Sequence, residues 1–496
     1  MSMITIQNLT FAYDGSYDDI FTGVTLQLDT DWRLGLVGRN GTGKTTFLNL
    51  LMGKFHYSGI IKSPVAFDYF PFEVPYMSLA TRQVVERIQP DYAPWVLCRE
   101  MATLEIPEKT LDRPFDTLSK GEQTKILLAI LFLKEEHFLL IDEPTNHLDA
   151  YGREIIGRYL NSKRGYILVS HDRTLLDRCV DHVLAINRTT IEIQQGNFSS
   201  WWRNKEYRDS FELAEDEKLR KDIGRLGEAA KRTAGWSDKV ERTKTGFGAY
   251  DHTGNLADKG FIGRKAAKMM QRSKNVENRR KRAVEEKQKL LKNLDRSDTL
   301  EVRPISHKND MLVRCANLRI SYDKKTICDK VTFTVARGEQ VALTGRNGSG
   351  KSSLLKLIMG EPLSYSGSIV LAYGLKISYV PQDTSFLTGT LADYAEVCGV
   401  EESLFKAMLV KLGFSQIQFG KDMEDFSGGQ KKKVLIAKSL CDRAHLYVWD
   451  EPFNFIDVIS RTQIEQMLLD QRPTRIFVEH DQMFIDKVAT KRIELG

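Results

Sequence analysis

Hydrophobic positions divide the chain into two regions of predicted strands and helices, separated by a polar region. Apolar side chains recur at strand spacing over 4–13, 24–28 and 33–37, and the pattern predicts a helix over 45–52. The same series returns at 311–322, 338–345 and 351–359. A chain of 496 residues is too long to form a single domain with one ordinary hydrophobic core. We therefore predict an α/β fold with two related domains, at 1–195 and 305–496.

The region between them, 196–304, has a different periodicity. Apolar residues recur at helical spacing over 201–236 and again over 264–294, and the segment 243–263 between these stretches contains five glycines that interrupt a helix. The pattern predicts a long α-helical hairpin linker whose tip is 243–263. A flexible charged linker is the alternative interpretation.

Each predicted domain contains a glycine-rich loop between a strand and a helix. The loops read GRNGTGKT from Gly38 and GRNGSGKS from Gly345. In this context their backbone N–H groups surround the phosphates of a nucleotide, the lysine reaches the β and γ phosphates, and the last hydroxyl binds Mg²⁺. The predicted nucleotide-binding residues are Gly38, Asn40, Gly41, Gly43, Lys44, Thr45, Thr46, Gly345, Asn347, Gly348, Gly350, Lys351, Ser352 and Ser353.

A buried strand that ends in Asp-Glu-Pro follows each loop by about 100 residues, as FLLIDEP and then LYVWDEP. An isolated Asp-Glu pair would more often be a solvated strand end. Its repetition behind two phosphate loops favours catalysis, with Asp142 and Asp450 binding the metal and Glu143 and Glu451 activating water as general bases. We predict an ATPase that uses two ATP and Mg²⁺.

Composition limits the remaining possibilities. The N-terminus lacks a secretory signal, and the longest apolar run, 126–133, is too short to span a membrane. Six scattered cysteines fit neither a zinc site nor a disulfide framework, so we predict a cytoplasmic protein. Residues 201–300 carry 26 Lys and Arg against 17 Asp and Glu, a net charge of +9, whereas the whole chain carries +6.

The middle of the connector is the most basic part of the chain. Residues 231–282 hold 15 Lys and Arg against 5 Asp and Glu, with aromatic residues between them, a pattern typical of RNA binding. Packing within the hairpin is the alternative role of these aromatics, and we accept it for Trp236. The predicted RNA-binding residues are Lys231, Arg232, Lys239, Arg242, Lys244, Phe247, Tyr250, Lys259, Phe261, Arg264, Lys265, Lys268, Arg272 and Lys274.

The segments LSKGEQ (118–123) and FSGGQK (426–431) resemble the signature of the ATP-binding cassette (ABC) family. The resemblance implies two ABC-type P-loop ATPase domains in tandem, with the signature of each closing on ATP held by the other. It adds Ser119, Gly121, Glu122, Ser427, Gly428, Gly429 and Gln430 to the predicted nucleotide-binding residues. Lys120 stands where glycine is usual, so we predict that the site of Lys351 closes less tightly.

The resemblance also assigns single residues around the nucleotides. Tyr13 and Tyr322 match the aromatic residue that stacks on adenine, and His171 and His480 match the switch histidine that senses the γ phosphate. Gln382 matches the glutamine near Mg²⁺, but the first domain has Phe72 at the corresponding position, and a phenyl ring cannot bind a metal. We therefore predict that the two ATP sites are unequal.

The segment EPTNHLD (143–149) resembles the marker of the ABC-F branch, while EPFNFID (451–457) has diverged from it. Short cassettes with a long connector resemble the antibiotic-resistance members, particularly the Lsa type. The resemblance implies a monomer that binds the ribosomal E site, contacts large-subunit rRNA near the peptidyl-transferase centre, and displaces P-site tRNA together with lincosamides, pleuromutilins and streptogramin A. A housekeeping ABC-F translation factor and the ATPase subunit of a membrane transporter are the alternatives.

Overall fold

The computed structural model describes residues 2–13, 19–134, 136–146, 148–187, 190–242, 300–322 and 325–495, together with single positions between 264 and 284. It divides into two compact units. One unit comprises Met1–Trp201 and Ser297–Gly496, and the other is Trp202–Arg296. The first unit contains two α/β lobes in tandem, in agreement with the predicted fold class.

The first lobe has two sheets with the phosphate loop between a strand and a helix. Its antiparallel sheet has the order β2-β1-β4, and its second sheet has the order β5-β6-β7-β3-β8-β9, in which β8 and β9 are antiparallel and the other pairs parallel. The strands are β1 Met3–Phe11, β2 Phe21–Asp29, β3 Arg33–Gly38, β4 Ser58–Lys62, β5 Ala66–Phe70, β6 His137–Asp142, β7 Tyr166–Val169, β8 His182–Ile186 and β9 Ile191–Gln195. The helices are α1 Lys44–Leu51, α2 Thr81–Ile88, α3 Pro94–Thr103, α4 Lys120–Leu131, α5 Ala150–Asn161 and α6 Arg173–Cys179.

The second lobe repeats this plan. Its antiparallel sheet has the order β11-β10-β13, and its parallel sheet has the order β14-β15-β16-β12-β17. The strands are β10 Met311–Tyr322, β11 Lys325–Ala336, β12 Gln340–Thr344, β13 Ser364–Leu371, β14 Ile377–Val380, β15 Leu446–Asp450, β16 Arg475–Val478 and β17 Lys491–Glu494. The helices, which follow α7 of the connector, are α8 Lys351–Ile358, α9 Leu391–Val397, α10 Glu402–Lys411, α11 Gly428–Cys441, α12 Val458–Gln471 and α13 Gln482–Val488.

The central strands of both parallel sheets are apolar because helices or a second sheet cover both of their faces. In β7 and β16 every residue is buried. Strands β3 and β12 run directly into the phosphate loops, and β6 and β15 end at Asp142 and Asp450. The carboxyl ends of these parallel strands therefore bring both motifs of a lobe to one edge of its sheet.

The connector begins with one long helix, α7 Phe198–Arg242, of 45 residues. It contains the predicted helix over 201–236 and continues beyond it at both ends. The described positions between 264 and 284 are also helical. The predicted tip, 243–263, and the end of the second predicted helix, 285–294, lie outside the described residues. Among the helices that are described, none combines the length and hydropathy needed to cross a membrane.

One core residue of the second lobe is a cation. Arg475, the first residue of β16, is fully buried, and its guanidinium carbon lies 4.9, 4.2 and 5.4 Å from the ring centroids of Trp449, Phe477 and Phe484. None of its three side-chain nitrogens has a hydrogen-bond partner among the described residues. Burial lowers its pKa to about 9. In the first lobe the first residue of β7 is Tyr166, whose hydroxyl donates to the carbonyl of Cys179 at 2.7 Å.

We expect Arg475→Met to stabilise the second lobe. The thioether keeps the aliphatic volume between the rings, while cation–π attraction offsets only about 0.5–2 kcal/mol of the cost of burying the charge. Desolvating a buried charge costs several kcal/mol, more than this attraction returns, so thermal unfolding monitored by circular dichroism should shift upward. Arg475→Lys, which keeps the charge, is the matched control and should not raise the melting temperature. A lower melting temperature for Arg475→Met would contradict this account.

Candidate active site: two interlobe nucleotide sites

Each phosphate loop enters its helix through a glycine with left-handed backbone conformation. Gly43 precedes α1 with φ 96°, and Gly350 precedes α8 with φ 92°. L side chains rarely adopt this conformation, and a Cβ at Gly43 would lie 2.7 Å from Ile20 Cγ2. The turn directs the N-terminus of each helix toward the loop, and the free N–H groups there favour an anionic phosphate.

The loop lysines are held by carbonyl groups of their own loops. Lys44 Nζ donates to the oxygens of Gly38 and Arg39 at 2.8 and 3.1 Å, and Lys351 Nζ makes the equivalent bonds to Gly345 and Arg346 at 2.9 Å each. Burial lowers the pKa of both lysines, and nearby carboxylates oppose this effect. Gly38 and Gly345 thus position the lysines and do not line the nucleotide cavities.

Two cavities lie between the lobes, and each combines the phosphate loop of one lobe with the signature of the other. The first, which we call site I, has a volume of about 560 Å³ and contains Lys44 together with Ser427, Gly428 and Gly429. The second, site II, has a volume of about 830 Å³ and contains Lys351 together with Ser119, Lys120, Gly121 and Glu122. The structure thereby brings together predicted residues from opposite ends of the chain, in the head-to-tail order that the ABC resemblance implies.

The remaining predicted residues around each cavity are distributed as follows. Site I is also lined by Tyr13, Asn40, Gly41, Gly43, Thr45, Thr46, Asp142, Glu143 and His171. Site II is also lined by Tyr322, Asn347, Gly348, Gly350, Ser352, Ser353, Gln382, Glu451 and His480. Gln430 lines neither cavity, because its Oε1 accepts a hydrogen bond from Ser427 N at 2.9 Å and so caps α11.

The lobes are in direct contact at the signature of site I. A Cβ at Gly429 would lie 2.3 Å from the carbonyl oxygen of Phe455 and 2.6 Å from Asn40 Nδ2 of the other lobe. Asn40 Nδ2 donates to that carbonyl at 2.8 Å. At the signature of site II, a Cβ on Gly121 would meet only Leu148 Cδ2, at 3.0 Å. A side chain at position 429 would therefore clash with the Phe455 carbonyl of its own lobe and displace the Asn40 amide that contacts it.

The two candidate general bases share a strained backbone conformation. Glu143 and Glu451 have φ of 51° and 46°, in the left-handed region. Such strain persists where surrounding structure imposes it, often at functional sites. His171 Nε2 lies 3.3 Å from Glu143 Oε1, and His480 Nε2 lies 3.5 Å from Glu451 Oε1. Each lobe therefore pairs its glutamate with its predicted switch histidine.

The environment of Glu451 favours an ionised carboxylate. Gln382 Nε2 and Asn454 Nδ2 donate to its Oε2 at 2.9 and 2.5 Å. Burial alone would raise its pKa, but hydrogen bonds from His480, Asn454 and Gln382 lower the pKa to about 2. Site II thus holds its glutamate charged and oriented toward the cavity, as a general base requires.

Glu143 lies in a less polar environment. Burial, aided by the neighbouring charge of Asp142, raises its pKa to about 8. Its Oε1 accepts no hydrogen bond from the described residues. Burial and the charge of Lys44 hold the pKa of His171 well below its usual range. Glu143 Oε2 accepts a hydrogen bond from the backbone N–H of His171 at 3.4 Å, but among the described residues no side-chain amide donates to Glu143 as Gln382 and Asn454 do to Glu451.

The residues predicted to bind metal also differ between the two sites. Asp450 Oδ1 is buried and accepts no hydrogen bond from the described residues, and Asp450 itself does not line site II, whereas Ser352 and Gln382 do. A carboxylate oxygen without a hydrogen-bond partner, on an aspartate whose carboxylate is bonded to the Ser352 hydroxyl, fits Mg²⁺, which binds few protein ligands and completes its shell with phosphates and water. The described residues contain no cluster of three His, Cys, Asp or Glu side chains that would form a self-sufficient metal site.

In site I, a tyrosine contacts the candidate metal ligand. Asp142 Oδ2 accepts hydrogen bonds from Tyr69 OH at 3.0 Å and from Thr45 Oγ1 at 3.2 Å. Tyr69 lies three residues before Phe72, at the end of β5. Sequence reasoning identified the missing glutamine at position 72 but not Tyr69, because only the pairing of β5 with β6 brings the phenol to Asp142.

The predicted adenine-stacking residues occupy equivalent places. Tyr13 OH lies 2.8 Å from Thr46 Oγ1, and Tyr322 OH lies 3.2 Å from Ser353 Oγ. Both tyrosines are 44% exposed, and each lines its cavity beside the phosphate loop, where a base could contact its ring. The hydroxyl contacts fix the rings relative to the first turns of α1 and α8.

The predicted RNA-binding residues are only partly described. Arg232, Arg264, Lys268 and Lys274 are helical and exposed, and Lys231, Lys239 and Arg242 lie in α7. The others, Lys244, Phe247, Tyr250, Lys259, Phe261, Lys265 and Arg272, lie outside the described residues. Their role remains a prediction.

Sequence reasoning missed two aspartates that reach across the lobes. Asp457 Oδ2 accepts a hydrogen bond from Asn40 N, and Asp149 Oδ2 accepts one from Asn347 N, both at 3.4 Å. Each aspartate ends the EPTNHLD or EPFNFID segment and caps the following helix. The capping role has a local signal in the sequence, whereas the contact with the opposite phosphate loop does not.

A family model described as "ABC transporter" matches the chain twice, at residues 21–146 and 328–454, which together make up slightly more than half of its length. The chain is similar to the ribosome protection protein VmlR of Bacillus subtilis (strain 168), at 26% identity over 100% of this chain and 87% of the relative. It is also similar to the energy-dependent translational throttle protein EttA of Escherichia coli (strain K12), at 26% identity over 79% of this chain and 66% of the relative.

Solved structures support the fold. An archaeal ribosome recycling factor, aABCE1, solved in complex with the ribosomal stalk protein aP1, matches with a TM-score of 0.60 at 20% identity and covers 93% of this chain and 83% of its own. An RNase-L inhibitor matches with a TM-score of 0.59 at 19% identity over 93% of this chain and 83% of its own. With two ATP-binding domains of P-loop ATPase type on one polypeptide, the chain belongs to the ABC transporter family and, within it, to the ABC-F branch.

Proposed function

We propose that this ATPase is a ribosome protection factor that binds the ribosomal E site in its ATP-closed form. The observation that carries the proposal is the alignment of the whole chain, connector included, with the ribosome protection protein VmlR. The two interlobe sites supply a reason for ATP dependence, because each needs residues of both lobes and is complete only when the lobes are in contact.

In the proposed closed form each site holds one ATP. The phosphate loop and its lysine would bind the phosphates, the signature of the other lobe would contact the γ phosphate, and Tyr13 or Tyr322 would stack on adenine. Mg²⁺, when bound beside Asp142 or Asp450, would neutralise charge on the transferring phosphoryl group. In site II, Glu451 would accept a proton from the attacking water, oriented by Gln382 and Asn454. Hydrolysis would then release the lobes.

The connector is the proposed mechanical output. Helix α7 has 45 residues, and at 1.5 Å rise per residue it is about 65 Å long. A helix of this length can transmit a displacement from lobe closure to its far end. We propose that the connector reaches toward the peptidyl-transferase centre and displaces P-site tRNA and bound lincosamide, pleuromutilin or streptogramin A. Such a protein would act in the cytoplasm as a monomer.

The charge of the connector fits an RNA partner. Its basic segment, 231–282, carries 15 Lys and Arg against 5 Asp and Glu. Contacts of these cations with phosphates would release counterions, so binding should weaken steeply as salt increases. Large-subunit rRNA and tRNA are the partners proposed for this segment.

A housekeeping translation factor is the second candidate. It is supported by the similarity to EttA, which covers 79% of this chain. Both candidates bind ribosomes, so their distinction depends on drug tolerance. The third possibility, an ATPase that drives a membrane transporter, predicts no ribosome binding.

The decisive experiment measures both ribosome binding and drug tolerance. We expect a Glu143→Gln, Glu451→Gln double variant to cosediment with ribosomes in the presence of ATP and to dissociate as salt rises, because it closes without hydrolysis. Expression of the unaltered protein in a susceptible host should raise tolerance to lincosamides and pleuromutilins. Ribosome binding without increased tolerance would favour the housekeeping role, and absence of binding would exclude both ribosomal candidates.

The tip of the connector is tested separately. Replacing 247–261 with a short Gly-Ser turn should abolish drug tolerance while leaving basal ATPase activity unchanged, because both nucleotide sites lie in the other unit. The matched control exchanges the residues of 247–261 for a scrambled order of the same composition. Tolerance that persists in the Gly-Ser variant would contradict the role of the tip.

A further inference from the structure

A buried group of charges joins the two lobes outside the nucleotide cavities. Arg173, the first residue of α6, is 4% exposed, and its Nη2 lies 2.7 Å from Glu465 Oε2 and 3.3 Å from Asp481 Oδ2 of the second lobe. Arg461 Nη1 donates to the same Asp481 oxygen at 3.1 Å, and Lys487 Nζ lies 2.9 Å from Glu465 Oε1. We call these five residues the interlobe ion cluster.

The cluster is connected to the catalytic histidine of site II. Asp481 directly follows His480, and its Oδ1 accepts a hydrogen bond from Phe484 N and so caps α13. Its other oxygen is shared by Arg461 of its own lobe and Arg173 of the first lobe. Asp481, the residue beside His480, is therefore fixed from both lobes.

The equivalent place in the first lobe is built differently. Alignment of the two copies on their Asp-Glu-Pro and His-Asp motifs pairs Arg173 with Gln482 and Glu465 with Gly157. Asp172, which follows His171, contacts Arg153 of its own lobe at 3.4 Å. Gln482 and Gly157, neither of which is charged, border a cavity of about 390 Å³. Arg173 thus supplies a cation to Asp481 from the opposite lobe, whereas the residue aligned with it, Gln482, has only an amide to offer Asp172.

We propose that Arg173 is a positioning residue that makes catalysis in site II depend on contact between the lobes, whereas Asp172, which follows His171 in site I, contacts Arg153 of its own lobe. When the lobes separate, Asp481 loses one of its two cations and Glu465 keeps only Lys487, whose side chain is half exposed. The histidine of site II then loses part of its support. Closure would restore the pair and with it the catalytic geometry, irrespective of whether the ribosome is the partner.

The test measures each site alone. In a Glu143→Gln background, where hydrolysis is confined to site II, Arg173→Gln should lower kcat by about 10- to 100-fold, as small misplacements of catalytic groups do, with little change in KM for ATP. In a Glu451→Gln background, which leaves site I, the same substitution should change kcat by less than about 2-fold, because Asp172, the residue beside His171, contacts Arg153 and not Arg173. Steady-state ATPase assays of purified full-length protein without ribosomes supply both values.

Two further variants separate positioning from folding. Arg178→Gln, an exposed arginine on the same helix, is the matched control and should leave both rates unchanged. Arg173→Lys keeps the charge and should restore part of the lost kcat in the Glu143→Gln background. An equal decrease of kcat in both backgrounds, or an effect on KM alone, would overturn the proposal. If Arg173→Gln fails to fold, the comparison of Arg173→Lys in the two backgrounds decides it.

Discussion

We expect Glu451→Gln to remove most of the ATPase activity of this protein and Glu143→Gln to remove much less. A positioned general base contributes roughly 100- to 10,000-fold to a rate, so the activity left in each variant is essentially that of the other site. Glu451 has two side-chain amide donors and a pKa of about 2, whereas Glu143 has no side-chain amide donor among the described residues and a pKa of about 8. Single-turnover and steady-state phosphate release would compare the two variants.

The difference in activity between the two ATP sites has an identifiable local cause, which a third variant tests. Gln382→Phe gives the second lobe the residue that the first lobe has at position 72. It removes one of the amide donors to Glu451, so it should move site II toward the rate of site I. Equal residual ATPase rates for the two Glu→Gln variants would refute the inequality of the two ATP sites. An unchanged rate in Gln382→Phe would show that groups other than the Gln382 amide cause the difference between the sites.

The regular elements around the nucleotide were predictable because their signals are local. The predicted segment 311–322 matches β10 residue for residue, and the helix predicted over 45–52 begins one residue earlier. Strand β4 was not predicted, since its side chains are largely exposed and lack alternation of apolar and polar positions. The ends of α7 were placed three and six residues too far inward, since the last six residues, 237–242, are mostly polar and the buried Phe198 at the other end is separated from Trp201 by two serines.

Contacts between distant parts of the chain were beyond sequence reasoning. Tyr69 lies 73 residues from Asp142, and Arg173 lies 292 residues from Glu465. Neither pair has a motif, because a tyrosine at the end of a strand and an arginine at the start of a helix are common. The phosphate loops were found because their backbone requires glycine at fixed positions. Single side chains that complete a site from another element carry no comparable constraint.

The second large effect concerns stability. We expect Lys433→Met to destabilise the second lobe by about 3–5 kcal/mol, the usual cost of leaving one member of a buried ion pair alone. Lys433 Nζ lies 2.7 Å from Asp457 Oδ2, and both side chains are nearly inaccessible to water. Burial alone would raise the pKa of Asp457, but Lys433 and the hydrogen bond from Ser460 N hold it far below its usual range. Differential scanning calorimetry should record a lower melting transition.

The pH dependence of this loss has a definite sign. Because the folded pKa of Asp457 is depressed, its ionisation contributes stability above its unfolded pKa of about 3.9 and loses that contribution as pH falls toward the folded value. The difference in stability between Lys433→Met and the unaltered protein should therefore be largest near neutral pH and should narrow below about pH 4. A constant difference across this range would indicate lost packing instead of a lost charge.

Matched variants distinguish the ion pair from the helix that carries it. Lys431→Met removes a partly exposed lysine two residues earlier on α11 and should change stability by less than about 0.5 kcal/mol. Adding Asp457→Asn to Lys433→Met removes the unpaired charge, while asparagine still caps α12, so the double variant should recover most of the loss. Asp457 also accepts a hydrogen bond from Asn40 N of the first lobe. A double variant that regains stability but not ATPase activity would therefore show that the aspartate contributes both to stability and to ATP hydrolysis.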